Sequence, residues 1–97
     1  MRLGKYEYTI LDLLYNNDGK QWWSEIKEKI SGYSRLKFRK LGFDTYHKTN
    51  VIHKSLVRSM RTLEEKGLIS NHGETRFTLI DLTELGRIEY IKRMKKQ

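Results

Sequence analysis

The sequence predicts a small, mostly helical α+β domain that occupies the whole chain, residues 1–97. Three observations favour this class. Apolar residues recur at helical spacing in four segments, and a glycine-containing turn lies between two short stretches typical of a β-hairpin. The length of 97 residues suits a single thin core. The sequence has no cysteine, so neither disulfides nor a thiolate zinc site can stabilise this core.

The first part of the chain contains two predicted helices and a short strand. YEYTILDLLYNN predicts an amphipathic helix over 6–16, which is followed by turn residues and by KQWW, a stretch suited to one short strand. Ser24 is the expected N-cap of a second helix over 24–31. Residues 33–48 fit neither period well and are treated as a structured basic connection.

The clearest helical pattern lies over 50–66. Gly67 is the expected left-handed residue at the end of this helix, and Leu68 is placed to make the closing apolar contact. One apolar stripe follows the helical period and consists of Ile52, Leu56, Met60 and Leu63. Asn50, Lys54, Arg58 and Arg61 cluster on the opposite face.

The last third of the chain predicts a hairpin followed by a helix. The hairpin spans 68–80, and Gly73 suits the positive φ of a tight turn within it. Thr83 is the expected N-cap of a final helix over 83–95. The apolar side of this helix is predicted to consist of Leu85, Ile88, Ile91 and Met94.

Positive charge is concentrated in the middle of the chain. The net charge is +8, and residues 33–62 carry eight lysines and arginines but only one acidic residue, Asp44. Acidic partners at i,i+4 spacing are missing from the basic half of the helix at 50–66. Clustered cations of this kind are typical of a protein that binds a polyanion, although a solvated helix face is the alternative.

Two motifs resemble those of the winged helix-turn-helix regulators, especially the MarR-type and related archaeal ones. The first is LEEKGLI at 63–69, and the second is LTELGR at 82–87. The resemblance is good over 50–91 and weaker over 6–31. It implies that 50–66 is a recognition helix and 68–80 a wing. One feature departs from the family, because about eighteen residues separate the second helix from the recognition helix where the family has a few.

The resemblance and the charge together predict a small transcriptional regulator that binds double-stranded DNA sequence-specifically. The recognition helix would enter the major groove, and the wing would touch the flanking backbone or the minor groove. The predicted DNA-binding residues are Asn50, Lys54, Ser55, Arg58 and Arg61 on the helix, Arg35, Lys37, Arg39, Lys40 and Lys48 in the connection, and His72 and Arg76 in the wing. Asn50 could instead cap the helix, and His72 could instead be an ordinary surface residue of the turn.

Two other functions stay open at this point. A winged helix can serve as a protein–protein interaction module of transcription or replication machinery, or it can bind RNA. Trp22 and Trp23 could stack on bases, although the pair is most economically explained with one side buried against the second helix.

No pattern typical of catalysis or metal binding stands out. The sequence lacks a Ser/His/Asp arrangement, a phosphate-binding glycine loop and a paired-carboxylate motif. His47, His53 and His72 are spaced so that no two lie on one helical turn. We therefore expect no enzyme activity, no cofactor and no metal.

The protein is expected to be soluble and cytoplasmic. No apolar run approaches the roughly 20 residues that span a bilayer, and MRLGKYEYT lacks the apolar core of a signal peptide. A homodimer is expected, because a single module of this size seldom reaches the affinity that paired half-sites give. The first and last helices are the predicted interface.

Overall fold

A computed structural model describes residues 3–33, 37, 40, 49–73 and 78–96. Within this part of the chain the elements are α1 (Lys5–Tyr15), β1 (Lys20–Trp22), α2 (Trp23–Ser31), α3 (Thr49–Glu65), β2 (Ile69–His72), β3 (Leu79–Leu82) and α4 (Glu84–Lys96). The three strands form an antiparallel sheet in the order β1-β3-β2. The predicted α+β class is confirmed.

The core lies between the helices and the inner face of the sheet. Gln21 and Ile80 pair across β1 and β3, and both side chains are buried on this face. The apolar side chains with no exposed surface come from every helix except α4, and they are Ile10, Leu11, Leu14, Ile26, Ile30, Leu56, Leu63, Leu68 and Ile80. The sheet and α1 therefore form the support on which α3 is held.

The start of α2 differs from the expectation that Ser24 caps it. Trp22 is the N-cap residue, with φ −66° and ψ 139°, and its side chain makes no capping hydrogen bond. The Trp23 N–H instead donates to the Thr78 carbonyl at 2.8 Å. A backbone contact with the sheet therefore fixes where the helix begins, so the side-chain signal at Ser24 was misleading.

The predicted C-cap of α3 is confirmed. Gly67 has φ +76°, a left-handed conformation that glycine adopts without a side-chain penalty. The Leu68 N–H donates to the Leu63 carbonyl at 2.9 Å, and the Gly67 N–H donates to the Glu64 carbonyl at 3.0 Å. These two bonds form a Schellman motif, which turns the chain directly from α3 into β2.

The predicted N-cap of α4, Thr83, is also confirmed. Its hydrogen bonds connect the motif at 82–87 to the motif at 63–69. The Thr83 hydroxyl accepts a hydrogen bond from the Gly86 N–H at 3.0 Å and donates to the Gly67 carbonyl at 2.7 Å. The Thr83 N–H donates to the Leu68 carbonyl at 3.2 Å. A Cβ atom on Gly86 would overlap that same carbonyl oxygen. The start of α4 is thus docked directly onto the end of α3.

This docking overturns the predicted packing of α4. Leu85, Ile88 and Met94 are 43%, 42% and 43% exposed, and of the predicted stripe only Ile91 packs against the core. Tyr90 makes the main apolar contact instead and is buried. Residues four apart share a helix face, so the close approach at Gly86 turns Tyr90 inward and leaves Leu85 and Ile88 on the opposite face.

A cluster of tyrosines fastens α4 to α1. The Tyr90 ring stacks on Tyr8 with 5.4 Å between the centroids and lies 4.7 Å from Tyr15. The Tyr90 hydroxyl donates to the Asp12 carboxylate at 2.6 Å, and burial together with this carboxylate raises the pKa of Tyr90. Tyr6, Tyr8 and Tyr90 are all buried, so these rings are part of the core.

The hairpin is longer than the predicted tight turn. His72 pairs with Leu79, so six residues, 73–78, connect the two strands. Gly73 has φ +152° at the first of these positions. Residues 74–77, which include Arg76, lie outside the described part of the chain.

Candidate nucleic-acid interface

The described part of α3 has one buried and one charged face. Leu56 and Leu63 have no exposed surface, whereas Lys54, Arg58 and Arg61 are exposed. With a rise of about 1.5 Å per residue, the three cations follow the helix for roughly 10 Å. The helix therefore presents a row of positive charge to solvent while its opposite face is fixed in the core.

These cations are available for an external anion. Among the residues described, none of Lys54, Arg58 and Arg61 forms an ion pair. The ion pairs there lie elsewhere, at Lys66–Glu7 and Lys92–Glu89, and His72 contacts Asp81. Glu64 and Glu65 are exposed at the C-terminal end of α3, beyond the last of the three cations. The acidic end of the helix thus begins within one turn of Arg61, and Lys54 and Arg58 lie farther from it.

A partly buried ion pair fixes α3 against α1. The Lys66 ammonium lies 3.1 Å from Glu7 Oε2, and the side chains are 28% and 11% exposed. The same Glu7 oxygen accepts the Gly4 N–H at 2.9 Å, at the start of α1. Sequence reasoning missed this pair, because its members stand 59 positions apart and no local pattern connects them.

Only some of the other DNA-binding residues predicted on α3 and in the connection before it lie in the described part of the chain. Ser55 is partly buried, at the boundary between the two faces of α3. The Asn50 backbone belongs to the first turn of α3, whereas its side chain lies outside the described part. The Lys37 ammonium lies 5.3 Å from the centroid of the Tyr33 ring, and Lys40 is exposed. Arg35, Arg39 and Lys48 are outside the described residues.

The predicted wing residue His72 is exposed but not isolated. It ends β2, and its Nε2 atom lies 3.1 Å from Asp81 Oδ2 on the neighbouring strand. This carboxylate was not predicted, because the contact depends on the register between β2 and β3. His72 can still face a phosphate, but Asp81 competes for the same imidazole.

The described residues contain neither a metal-binding cluster nor a membrane-spanning helix. Across the described ranges, no group of three or more His, Cys, Asp or Glu side chains is placed to hold a metal ion. No helix within those ranges has the length and apolar character needed to cross a bilayer.

Comparison with known proteins identifies relatives by structure alone. No family model matches the chain, and no curated protein matches it. A transcriptional regulator from Clostridium thermocellum, Cth-833, superposes with a TM-score of 0.61 at 25% identity, covering 93% of this chain and 79% of that one. The structure of the hsRosR-S1 complex gives a TM-score of 0.65 at 18% identity over 96% of this chain and 70% of that one.

These similarities define the class of the fold. In the described residues, four helices and a three-stranded antiparallel sheet in this order form a winged-helix-like domain, which is the fold of a known transcriptional regulator. At 18% identity the second likeness shows the fold alone. The narrower resemblance to MarR-type proteins stays a prediction, because no family model supports it.

Proposed function

We propose that this chain is a transcriptional regulator that binds double-stranded DNA sequence-specifically. The observation that carries the proposal is the exposed row of Lys54, Arg58 and Arg61 on a helix whose opposite face is locked into the core. The structural likeness to a transcriptional regulator supports it. The net charge of +8 supports it as well, because duplex DNA is a dense polyanion.

In this proposal α3 enters the major groove, which at about 12 Å is wide enough to admit an α-helix. Arg58 and Arg61 can donate bidentately to guanine, while Lys54 suits a phosphate. The wing residues His72 and Arg76 face the flanking backbone or minor groove. The cations of the connection add phosphate contacts, which position the protein without reading bases.

The binding mode predicts a strong dependence on salt. If roughly five to seven phosphates are neutralised, log affinity should fall linearly with log salt with a slope of about −4 to −7. Fluorescence anisotropy with a labelled random-sequence duplex at several salt concentrations measures this slope. An RNA duplex of the same sequence serves as a competitor. Absent or salt-insensitive binding would contradict the proposal, and preferential binding of RNA would replace it with the RNA-binding alternative.

We also propose that the protein acts as a homodimer through α4. Leu85 and Ile88 lie within one turn of each other and are both exposed, on the side of α4 that faces away from Tyr90. The apolar stripe of α1 is not available for an interface, since Ile10 and Leu14 are in the core and have no exposed surface. The interface expected from the first and last helices is therefore assigned to α4 alone.

Replacing Ile88 by glutamate should separate the two copies. The side chain is 42% exposed, so the charge should leave the folded chain intact but destabilise an apolar interface. Sedimentation equilibrium should give the dimer mass for the wild type and the single-chain mass for Ile88→Glu. Lys29→Glu changes an exposed position on α2 and should remain dimeric. A wild type with the single-chain mass at all concentrations would contradict the proposed dimer.

A further inference from the structure

The outer face of the sheet carries an exposed tryptophan that the core does not explain. Trp22 is 44% exposed, whereas tryptophan is on average a highly buried residue. Its neighbour Trp23 packs against the core, which agrees with the expectation that one side of the pair is buried. Nearly half of the surface of a residue with a large apolar ring and one indole N–H donor is therefore open to solvent.

Strand register places Trp22 in one row with the wing. Trp22 pairs with Leu79 and Leu79 pairs with His72, so the three side chains lie on the same face. Adjacent strands are about 4.8 Å apart, which puts Trp22 and His72 roughly 10 Å from each other. Leu79 begins β3 and His72 ends β2, so the row lies at the end of the sheet where residues 73–78 connect these two strands.

The surroundings of this row suit an anionic backbone. Lys20 is exposed on the same face, two residues before Trp22. Asp81 also lies on this face and opposes an anion, but it is the cross-strand partner of Lys20 and lies 3.1 Å from the His72 imidazole. A span of roughly 10 Å covers about three nucleotides of one strand, counted at 3.4 Å of axis per nucleotide.

We propose that Trp22 contacts the sugar–phosphate backbone of duplex DNA beside the wing, with its ring against deoxyribose and its indole N–H on a phosphate. This inference rests on the proposed DNA binding and extends it to a residue outside α3 and the hairpin. The row continues the wing surface at His72, and the chain's charge complements DNA. Trp22 thereby fixes the position of the wing without reading a base.

Trp22 fluorescence tests this contact directly. The sequence has two tryptophans, so Trp23→Phe leaves Trp22 as the single indole reporter. Titration with a labelled duplex should change the Trp22 emission with the same Kd that anisotropy gives. Binding seen by anisotropy with no change in emission would overturn the Trp22 contact and leave the proposed function standing. If the Trp22 emission instead changes with protein concentration in the absence of DNA, this surface binds a second copy of the chain. That result would also overturn the proposed contact with DNA.

A substitution provides the second test. Trp22→Ala should raise the Kd for the duplex about tenfold or more, the scale of losing one hydrogen bond to a charged group. Trp22→Phe keeps an aromatic ring for the sugar but has no N–H for the phosphate, so it should restore only part of the affinity. The salt slope should stay unchanged, because an uncharged side chain releases no counterion. Tyr15→Ala removes another exposed aromatic, whose ring lies 4.7 Å from Tyr90 of α4 and not on the outer face of the sheet, and should leave the Kd of the folded protein unaltered. Thermal melting accompanies each variant. Unchanged affinity of a folded Trp22→Ala protein overturns the contact, whereas a wild type that fails to bind the duplex refutes the function itself.

Discussion

Gly86→Ala should destabilise the fold by about 3 kcal/mol or more, although alanine is the better helix former by about 1 kcal/mol. The new Cβ atom would overlap the Leu68 carbonyl oxygen and lie 2.8 Å from Leu82 Cδ1. A backbone carbonyl cannot rotate away as a side chain can. The start of α4 would have to retreat, breaking the hydrogen bonds of Thr83 to Gly67 and Leu68. Each such bond contributes about 1 kcal/mol.

Urea denaturation measures this effect against a matched glycine. Gly32 ends α2 with an ordinary φ of −87°, and the nearest atoms to an added Cβ are at 3.6 Å. Gly32→Ala should therefore change the free energy of unfolding by less than about 1 kcal/mol and can even stabilise. Equal effects of the two substitutions would show that α4 is not docked on the Leu68 carbonyl.

The contact between the end of α3 and the start of α4 shows which parts of the fold the sequence could predict. Gly67 and Thr83 were identified because their roles are local. A left-handed C-cap follows from a glycine after an apolar stripe, and an N-cap follows from a threonine before a helical run. The exposed cations of α3 follow equally from a single helical period, since Leu56 and Leu63 fix which face is inside.

Features that depend on long-range contacts could not be predicted in this way. The rotation of α4 is set by the approach of Gly86 to Leu68, and sequence periodicity instead selected Leu85 and Ile88 as core. The surface position of Trp22 depends on strand register. The contact between His72 and Asp81 depends on strand register in the same way. Apolar spacing shows which residues share a face, but only tertiary contacts decide which face is covered.

Leu63→Ala and Arg58→Ala should separate stability from DNA binding on the same helix. The Leu63 side chain has no exposed surface, so truncation leaves a cavity and should lower the free energy of unfolding by about 2–5 kcal/mol. Arg58 is exposed and unpaired among the described residues, so its truncation should change stability by no more than about 0.5 kcal/mol. For a bidentate base contact, the loss should weaken specific DNA binding by about tenfold or more.

Thermal melting and duplex titration of both variants decide whether α3 is oriented as proposed. For a chain of this length a 2–5 kcal/mol loss lowers the Tm by roughly 10 °C or more, well beyond the shift expected for Arg58→Ala. Glu64→Ala supplies an exposed control on the same helix, and it should weaken neither property, because removing a negative charge near the interface cannot reduce attraction to phosphate. An Arg58→Ala protein that melts early would mean that the charged face supports the core. One that melts normally and binds DNA with unchanged affinity would mean that α3 does not face the DNA.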